Sequence, residues 1–129
     1  MICGGEGGFG ATCVVPDRLN TVYFGASGAY LSHGNAPNLQ ISCSAGGFGG
    51  DPLIGVPKIC YFYIEPSKLP WEDCGKEGGQ CDITGNQLVR FGEGDHWVYK
   101  AVAGKTGCNR SVFGDPSPDK PKICQVTRL

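Results

Sequence analysis

Apolar and polar positions alternate along this chain in short runs, and each run ends at a segment rich in glycine, proline, serine or aspartate. The alternation has a period of two, which is typical of half-buried β-strands. It predicts β-hairpins at 20–32 and 86–102, and further strands at 58–64 and 122–127. We find no stretch that combines helical periodicity with good capping residues.

This pattern occurs twice in the same order. Phe24-Gly25 corresponds to Phe91-Gly92, and the sequence Pro-Lys-Ile-Cys ends both copies. The offset is 71 residues from the first cysteine of one copy to that of the other, and 64 residues between their last cysteines. Small gaps in loops account for this drift. We therefore predict a tandem repeat.

The domain prediction follows from the repeat. The first repeat is expected at 1–64 and the second at 71–129, joined by a short connector at 65–70 that contains two prolines. The expected fold is all-β, with about four short strands per repeat in a sandwich or Greek-key-like arrangement. The two repeats are expected to pack together as a pseudo-twofold.

Eight cysteines stand among the 129 residues, and their spacing is repeated. A unit of about 60 residues buries little apolar surface and usually needs covalent staples. An even number of cysteines in a short chain predicts disulfides, and the C-x2-C pairs typical of zinc sites are absent from the sequence. The simplest pairing is Cys3–Cys13, Cys43–Cys60, Cys74–Cys81 and Cys108–Cys124, with crossed pairs inside a repeat left open.

Disulfides predict an oxidising compartment, and hence a secreted protein. The charge is balanced at −1, and no basic patch points to nucleic acid. The sequence has no apolar run of membrane-spanning length, so no membrane insertion is expected. The short start before the first cysteine leaves no room for a signal peptide, which predicts a mature form.

Catalysis is not predicted. No spacing selects a pair of carboxylates, and no Ser-His-Asp or Cys-His arrangement is visible. Asp51 and Asp115 recur before a proline, where an aspartate commonly bonds to the backbone of its own turn. We therefore predict a protein that is not an enzyme, with no catalytic residue, metal or cofactor.

The second repeat carries an ordered series of motifs: Trp71-Glu-Asp-Cys, Glu77-Gly-Gly-Gln-Cys, Val89-Arg-Phe-Gly, Trp97-Val-Tyr-Lys and Phe113-Gly-Asp-Pro. The series resembles a cysteine-rich tandem module that accompanies secreted polysaccharide-active enzymes, mostly bacterial. The resemblance covers nearly the whole chain and implies attachment to carbohydrate rather than bond cleavage. The first repeat departs from it, because Tyr30 stands in place of Trp97 and His33 in place of Lys100.

Carbohydrate sites combine aromatic rings, which cover the apolar faces of sugars, with polar side chains that bind hydroxyl groups. Trp97 and Tyr99 are two residues apart and should share a face of their strand. The predicted binding residues are Trp97, Tyr99, Arg90, Lys100 and Asp95 in the second repeat and Tyr30 and Tyr23 in the first. The alternative is that Trp97 and Tyr30 belong to the cores.

These observations predict a secreted, non-catalytic carbohydrate-binding module or lectin with two related sites for a polysaccharide or glycan. Two other classes stay open. One is a defence or protease-inhibitor protein that presents a proline-stiffened loop, at 34–38 or 116–121. The other is a structural protein of an extracellular matrix or wall, for which glycine-rich loops and cross-links are equally suitable.

Overall fold

A computed structural model describes residues 1–5, 12–64 and 68–127. The first repeat contains β1 (Ile2–Gly5), β2 (Thr12–Val14), β3 (Thr21–Ala26), β4 (Ala29–Gly34), β5 (Gln40–Ser42), helix α1 (Ala45–Phe48) and β6 (Ile59–Tyr61). The second contains β7 (Glu72–Lys76), β8 (Gln80–Cys81), β9 (Asn86–Glu93), β10 (His96–Ala103), β11 (Thr106–Gly107), helix α2 (Arg110–Phe113) and β12 (Ile123–Thr127). Part of the predicted connector, 65–67, lies outside the described residues.

Each repeat contains a four-stranded antiparallel sheet and a small two-stranded one. The large sheets have the orders β1-β6-β3-β4 and β7-β12-β9-β10, and the small sheets are β2-β5 and β8-β11. In each repeat the last strand returns to lie between the first strand and the long hairpin. The all-β class with two repeated units is confirmed.

The period-two pattern places one core inside each repeat. In the first, Val22 and Phe24 of β3 point inward and are fully buried with Cys60. In the second, Val89 and Phe91 of β9 take the same places. Because these residues face inward, the side chains between them lie on the opposite face of the large sheet.

The four disulfides have the predicted pairing, which is therefore confirmed. They join Cys3 to Cys13, Cys43 to Cys60, Cys74 to Cys81 and Cys108 to Cys124. In each repeat, one bridge ties the first strand to the small sheet, and the other ties the segment after the small sheet to the last strand. Four disulfides in so small a protein are typical of extracellular proteins.

The prediction of no helix was wrong for two single turns. Ser44 caps α1 by accepting a hydrogen bond from Gly47 N at 3.2 Å, and Asn109 caps α2 by accepting one from Val112 N at 3.0 Å. Each turn buries a phenylalanine that stacks on the sheet beneath it. One turn is too short to show a helical period in sequence. Neither helix in the described part of the chain is long enough to cross a membrane.

The two repeats pack against each other through a shared apolar cluster. Phe62 of the first repeat and Leu88 and Ala101 of the second are buried in it. Beside the cluster, Asn86 Nδ2 donates to Val15 O at 3.0 Å. In the repeat alignment Leu88 corresponds to a threonine of β3 and Phe62 to a valine of β12. Phe62 and Leu88 thus come from non-equivalent strands of the two repeats, whereas the hydrogen bond from Asp17 N to Asn86 O at 3.0 Å joins nearly equivalent segments.

Candidate binding faces

The outer face of the first large sheet is aromatic. Tyr61 of β6 is paired with Ile2 of β1 on one side and with Tyr23 of β3 on the other. Tyr30 projects from β4, and Tyr63 follows β6 two residues after Tyr61. We call this set, Ile2, Tyr23, Tyr30, Tyr61 and Tyr63, the tyrosine face.

The rings of the tyrosine face contact one another directly. Tyr23 and Tyr61 stack with ring centroids 5.4 Å apart, and Tyr63 meets both rings edge-on at 5.3 and 5.4 Å. Tyr30 meets Tyr61 at 5.5 Å. Two of the four rings remain open to solvent, since Tyr30 is 46% and Tyr63 is 69% exposed. The face therefore offers aromatic surface that the cores do not use.

Tyr61 lies at the centre of the tyrosine face. Burial raises the pKa of its phenol above the ordinary value of 10.0, and hydrogen bonds and electrostatic interactions with Tyr63 and Tyr30 raise it further. The phenol is therefore neutral at physiological pH. A neutral phenol both donates and accepts hydrogen bonds, as a ligand with hydroxyl groups requires.

The outer face of the second large sheet contains a stacked cation. The Arg90 guanidinium carbon lies 3.9 Å from the ring centroid of Trp97 and 4.5 Å from that of Trp71. Arg90 Nε donates to Gln125 Oε1 at 2.7 Å, and Gln125 Nε2 donates to Asp73 Oδ1 at 2.7 Å. We call these five residues the arginine stack.

Local backbone geometry positions Trp97. Its indole Nε1 donates to Gly94 O in the hairpin turn at 2.7 Å, which fixes the orientation of the ring. Gly92 is the register partner of Trp97 across the hairpin. A Cβ atom at Gly92 would overlap the carbonyl oxygen of His96 and would lie 3.0 Å from Trp97 Cα. Glycine at this place therefore permits the close approach of the two strands.

The structure brings some of the predicted site residues together and separates others. Arg90 and Trp97 are in contact, and Tyr99 joins them through Trp71, with ring centroids 5.7 Å apart. Lys100 lies on the opposite face of β10, where its Nζ is 3.5 Å from Val112 O. Asp95 is exposed in the hairpin turn. In the first repeat, Tyr23 and Tyr30 both belong to the tyrosine face.

Tyr99 and Lys100 also line a cleft between the repeats. Its volume is ≈ 340 Å³, and its other walls include Ile2, Val14 and Ala101. Clefts between units are common places for ligands. In this cleft, residues of both repeats line one concave surface that includes two of the predicted site residues.

Sequence reasoning missed Tyr61, Tyr63, Trp71 and Gln125. The first two were within reach, because Cys60 points inward and residues one and three positions later must then face outward. The same alternation places Gln125 next to the buried Cys124. Trp71 precedes its strand, so no periodic signal marks it.

The two outer faces differ in chemistry at equivalent positions. Where the tyrosine face has Tyr23, the arginine stack has Arg90, and Tyr30 is replaced by Trp97. Gln125 stands at the position of Tyr61, and Asp73 at the position of Ile2. The first face is therefore apolar and uncharged, whereas the second contains charged groups.

The repeated aspartates have the backbone role expected of them. Asp51 Oδ1 accepts a hydrogen bond from Leu53 N at 3.0 Å, and Asp115 Oδ1 accepts one from Ser117 N at 3.1 Å. The part of the chain that the structure describes contains no cluster of three or more side chains suited to bind a metal ion.

No family model matches the chain. A search of solved structures also finds no match.

Proposed function

We propose that this protein is a secreted, non-catalytic carbohydrate-binding module that uses the outer faces of its two large sheets. The observation that carries the proposal is the tyrosine face. It places four aromatic rings side by side on a sheet surface, and two of them are well exposed. Aromatic rings bind the C–H faces of sugars, and the phenol groups supply hydrogen bonds to hydroxyls.

The exposure of Tyr30 and Tyr63 supports a binding role over a purely structural one. Each repeat already has a core on the inner face of its sheet, closed by the small sheet and by a single-turn helix. Tyr30 and Tyr63 lie outside both cores. Exposed apolar surface of this kind is typical of interaction sites.

Two unlike faces in one chain also support attachment to a polymer. A polysaccharide that contacts both faces is held by two linked events, and the second then takes place at high effective concentration. Weak binding by each face is sufficient for retention. The resemblance to modules of polysaccharide-active enzymes supports the same function.

The test is depletion of the pure protein from solution by a panel of insoluble polysaccharides, supplemented by affinity electrophoresis with soluble ones. We expect retention on one polymer class, reduced in Tyr30→Ala with Tyr63→Ala and in Trp97→Ala. The matched control is Ile54→Ser, which removes an exposed apolar side chain from the loop between α1 and β6 that belongs to neither face. Retention that is unchanged in these variants, or no retention on any polymer, would refute the proposal.

A second candidate function is recognition of a protein through a rigid loop. The observation that favours it is Ile54, which is 86% exposed at the tip of the loop between α1 and β6. A hydrogen bond from Val56 N to Leu53 O closes this turn, and Gly55 occupies its positive-φ position. The inhibitor class is tested by titration against a panel of proteases, with Ile54→Ser as the informative variant. Full activity of every protease would exclude it.

A further inference from the structure

The guanidinium of Arg90 is fixed by its neighbours, but its terminal nitrogens have no acceptor among the described residues. Its guanidinium carbon lies within 4.5 Å of the ring centroids of both Trp97 and Trp71, and its Nε donates to Gln125 Oε1. Among the residues that the structure describes, no carboxylate forms an ion pair with it, and no acceptor binds its two terminal nitrogens. Arg90 is partly exposed, so these terminal donors are within reach of a ligand.

The neighbouring side chains fix the direction of this cation. Asp73 accepts from the amide nitrogen of Gln125, which orients the amide oxygen towards Arg90 Nε. The two indole rings further restrict the movement of the guanidinium group. An arginine that is fixed in this way loses little conformational freedom when it binds an anion.

We propose that the arginine stack binds the carboxylate of an acidic sugar, so that the ligand of the second repeat is a uronate-containing polysaccharide. This inference rests on the proposed function. A planar guanidinium matches a planar carboxylate through two parallel hydrogen bonds, and such charge-assisted pairs are stronger than neutral ones. Trp97 lies beside the donors and offers an aromatic surface to the ring of the same sugar.

The first repeat provides an internal comparison. At the position of Arg90 it has Tyr23, and at the position of Gln125 it has Tyr61. The tyrosine face therefore lacks the cation, and it suits uncharged sugars. On one polymer, the first repeat accordingly binds uncharged sugars and the second repeat binds sugars that have a carboxylate.

The experiment compares retention on polygalacturonate with retention on the same polymer after chemical reduction of its carboxyl groups. We expect the wild-type protein to bind the acidic form more tightly by about tenfold, which is the size of one charge-assisted hydrogen bond. Arg90→Gln should remove the difference. Arg90→Lys should also lose most of it, because a lysine keeps the charge but lacks the planar fork.

The matched control is Arg110→Gln, which removes an exposed arginine of α2 in the same repeat and should leave the preference unchanged. Far-ultraviolet circular dichroism and the unfolding midpoint of each variant establish that it is folded. If Arg90→Gln does not fold, the wild-type preference and the Arg90→Lys result still decide the question.

The outcomes separate this inference from the proposed function. Equal retention on the acidic and reduced polymers would overturn the inference while supporting a neutral glycan-binding module. Retention on dextran sulfate as strong as on polygalacturonate would overturn the carboxylate assignment, because it indicates attraction to any anion. No retention on these or on any other polysaccharide would overturn the proposed function itself.

Discussion

Lys58 and Lys122 occupy the same place in the two repeats, and each is buried beneath a proline-bounded loop. Lys58 Nζ donates to Leu53 O at 3.0 Å and to Val56 O at 2.6 Å, and it lies 2.9 Å from Asp51 Oδ1. Lys122 Nζ makes the corresponding contacts with Ser117 O at 2.9 Å, Lys120 O at 2.6 Å and Asp115 Oδ1 at 3.3 Å. The repeated motif thus encodes a loop that is held from inside by an ammonium group.

Replacement of this ammonium group should be costly. In Lys58→Met, two carbonyl oxygens and the Asp51 carboxylate lose the ammonium group, and Asp51 keeps its hydrogen bond from Leu53 N, while the apolar stem of the side chain is largely retained. We expect a loss of about 2–4 kcal/mol in the free energy of unfolding. Urea unfolding under non-reducing conditions measures it. Lys105→Met, in which an exposed lysine is replaced, serves as the control, and an equal effect of both substitutions would contradict the role of the buried lysine.

The Asp51–Lys58 pair also predicts a dependence of stability on pH. The hydrogen bond from Lys58 lowers the pKa of Asp51 below its ordinary value of 3.8. The folded state therefore binds this proton less tightly than the unfolded state, so the pair stabilises the protein above pH 3.8 and loses this effect as the pH falls further.

The variant Asp51→Asn tests this pH dependence. It should be less stable than the wild type at neutral pH, and the difference should shrink in acid. Thermal unfolding as a function of pH measures both effects, with Asp95→Asn in the exposed hairpin turn as the control. A difference between Asp51→Asn and the wild type that does not change down to the most acidic conditions would contradict the assignment.

Gly25 controls the position of Tyr30 on the tyrosine face. A Cβ atom at this place would overlap the carbonyl oxygen of Ala29 and the ring of Tyr30, and would lie 2.8 Å from Tyr30 Cα. We expect Gly25→Ala to cost roughly 1–3 kcal/mol of stability and to weaken glycan binding, because the ring must move. Gly34→Ala is the control in the same hairpin, since a Cβ atom there meets nothing within 4 Å. Wild-type binding by Gly25→Ala would show that the position of Tyr30 is unimportant.

The disulfides should contribute unequally. The Cys43–Cys60 bridge closes a separation of 17 residues, and the Cys74–Cys81 bridge closes one of 7. The chain-entropy model gives about 3 kcal/mol for the longer loop and about 2 kcal/mol for the shorter. Double replacement by alanine, followed by denaturant unfolding, should show the larger loss for Cys43 and Cys60. The opposite order would mean that packing of the sulfur atoms outweighs loop closure.

The sequence was sufficient for the fold class because its signals are local and repeated. Alternation around Phe24 and Phe91 gave the two hairpins, which the structure extends by a few residues. Repeated spacing assigned the cysteines to the two repeats and made the observed pairing the simplest one, with crossed pairs inside a repeat still open. The small sheets escaped prediction because strands such as β8 and β11 are only two residues long and carry no detectable period.

The candidate site was less accessible from sequence, because it depends on contacts between distant strands. Trp71 and Gln125 reach Arg90 from opposite ends of the second repeat. Nothing in their local sequence states that β12 lies between β7 and β9. The separation of Lys100 from Trp97 was predictable, since residues three positions apart in a strand point to opposite faces.

The apolar cluster between the repeats has a consequence for the docking of further units. Because Phe62 and Leu88 come from non-equivalent strands, a unit added to the second repeat by the same contact meets the positions that correspond to the first repeat's side of the junction. The first repeat contributes Met1 and Val14 to the junction cluster, and the corresponding positions of the second are Glu72 and Asp82. Two carboxylates at an apolar junction oppose the docking of another unit. The surface of the second repeat that corresponds to this junction is therefore less suited to the same apolar contact than the surface of the first.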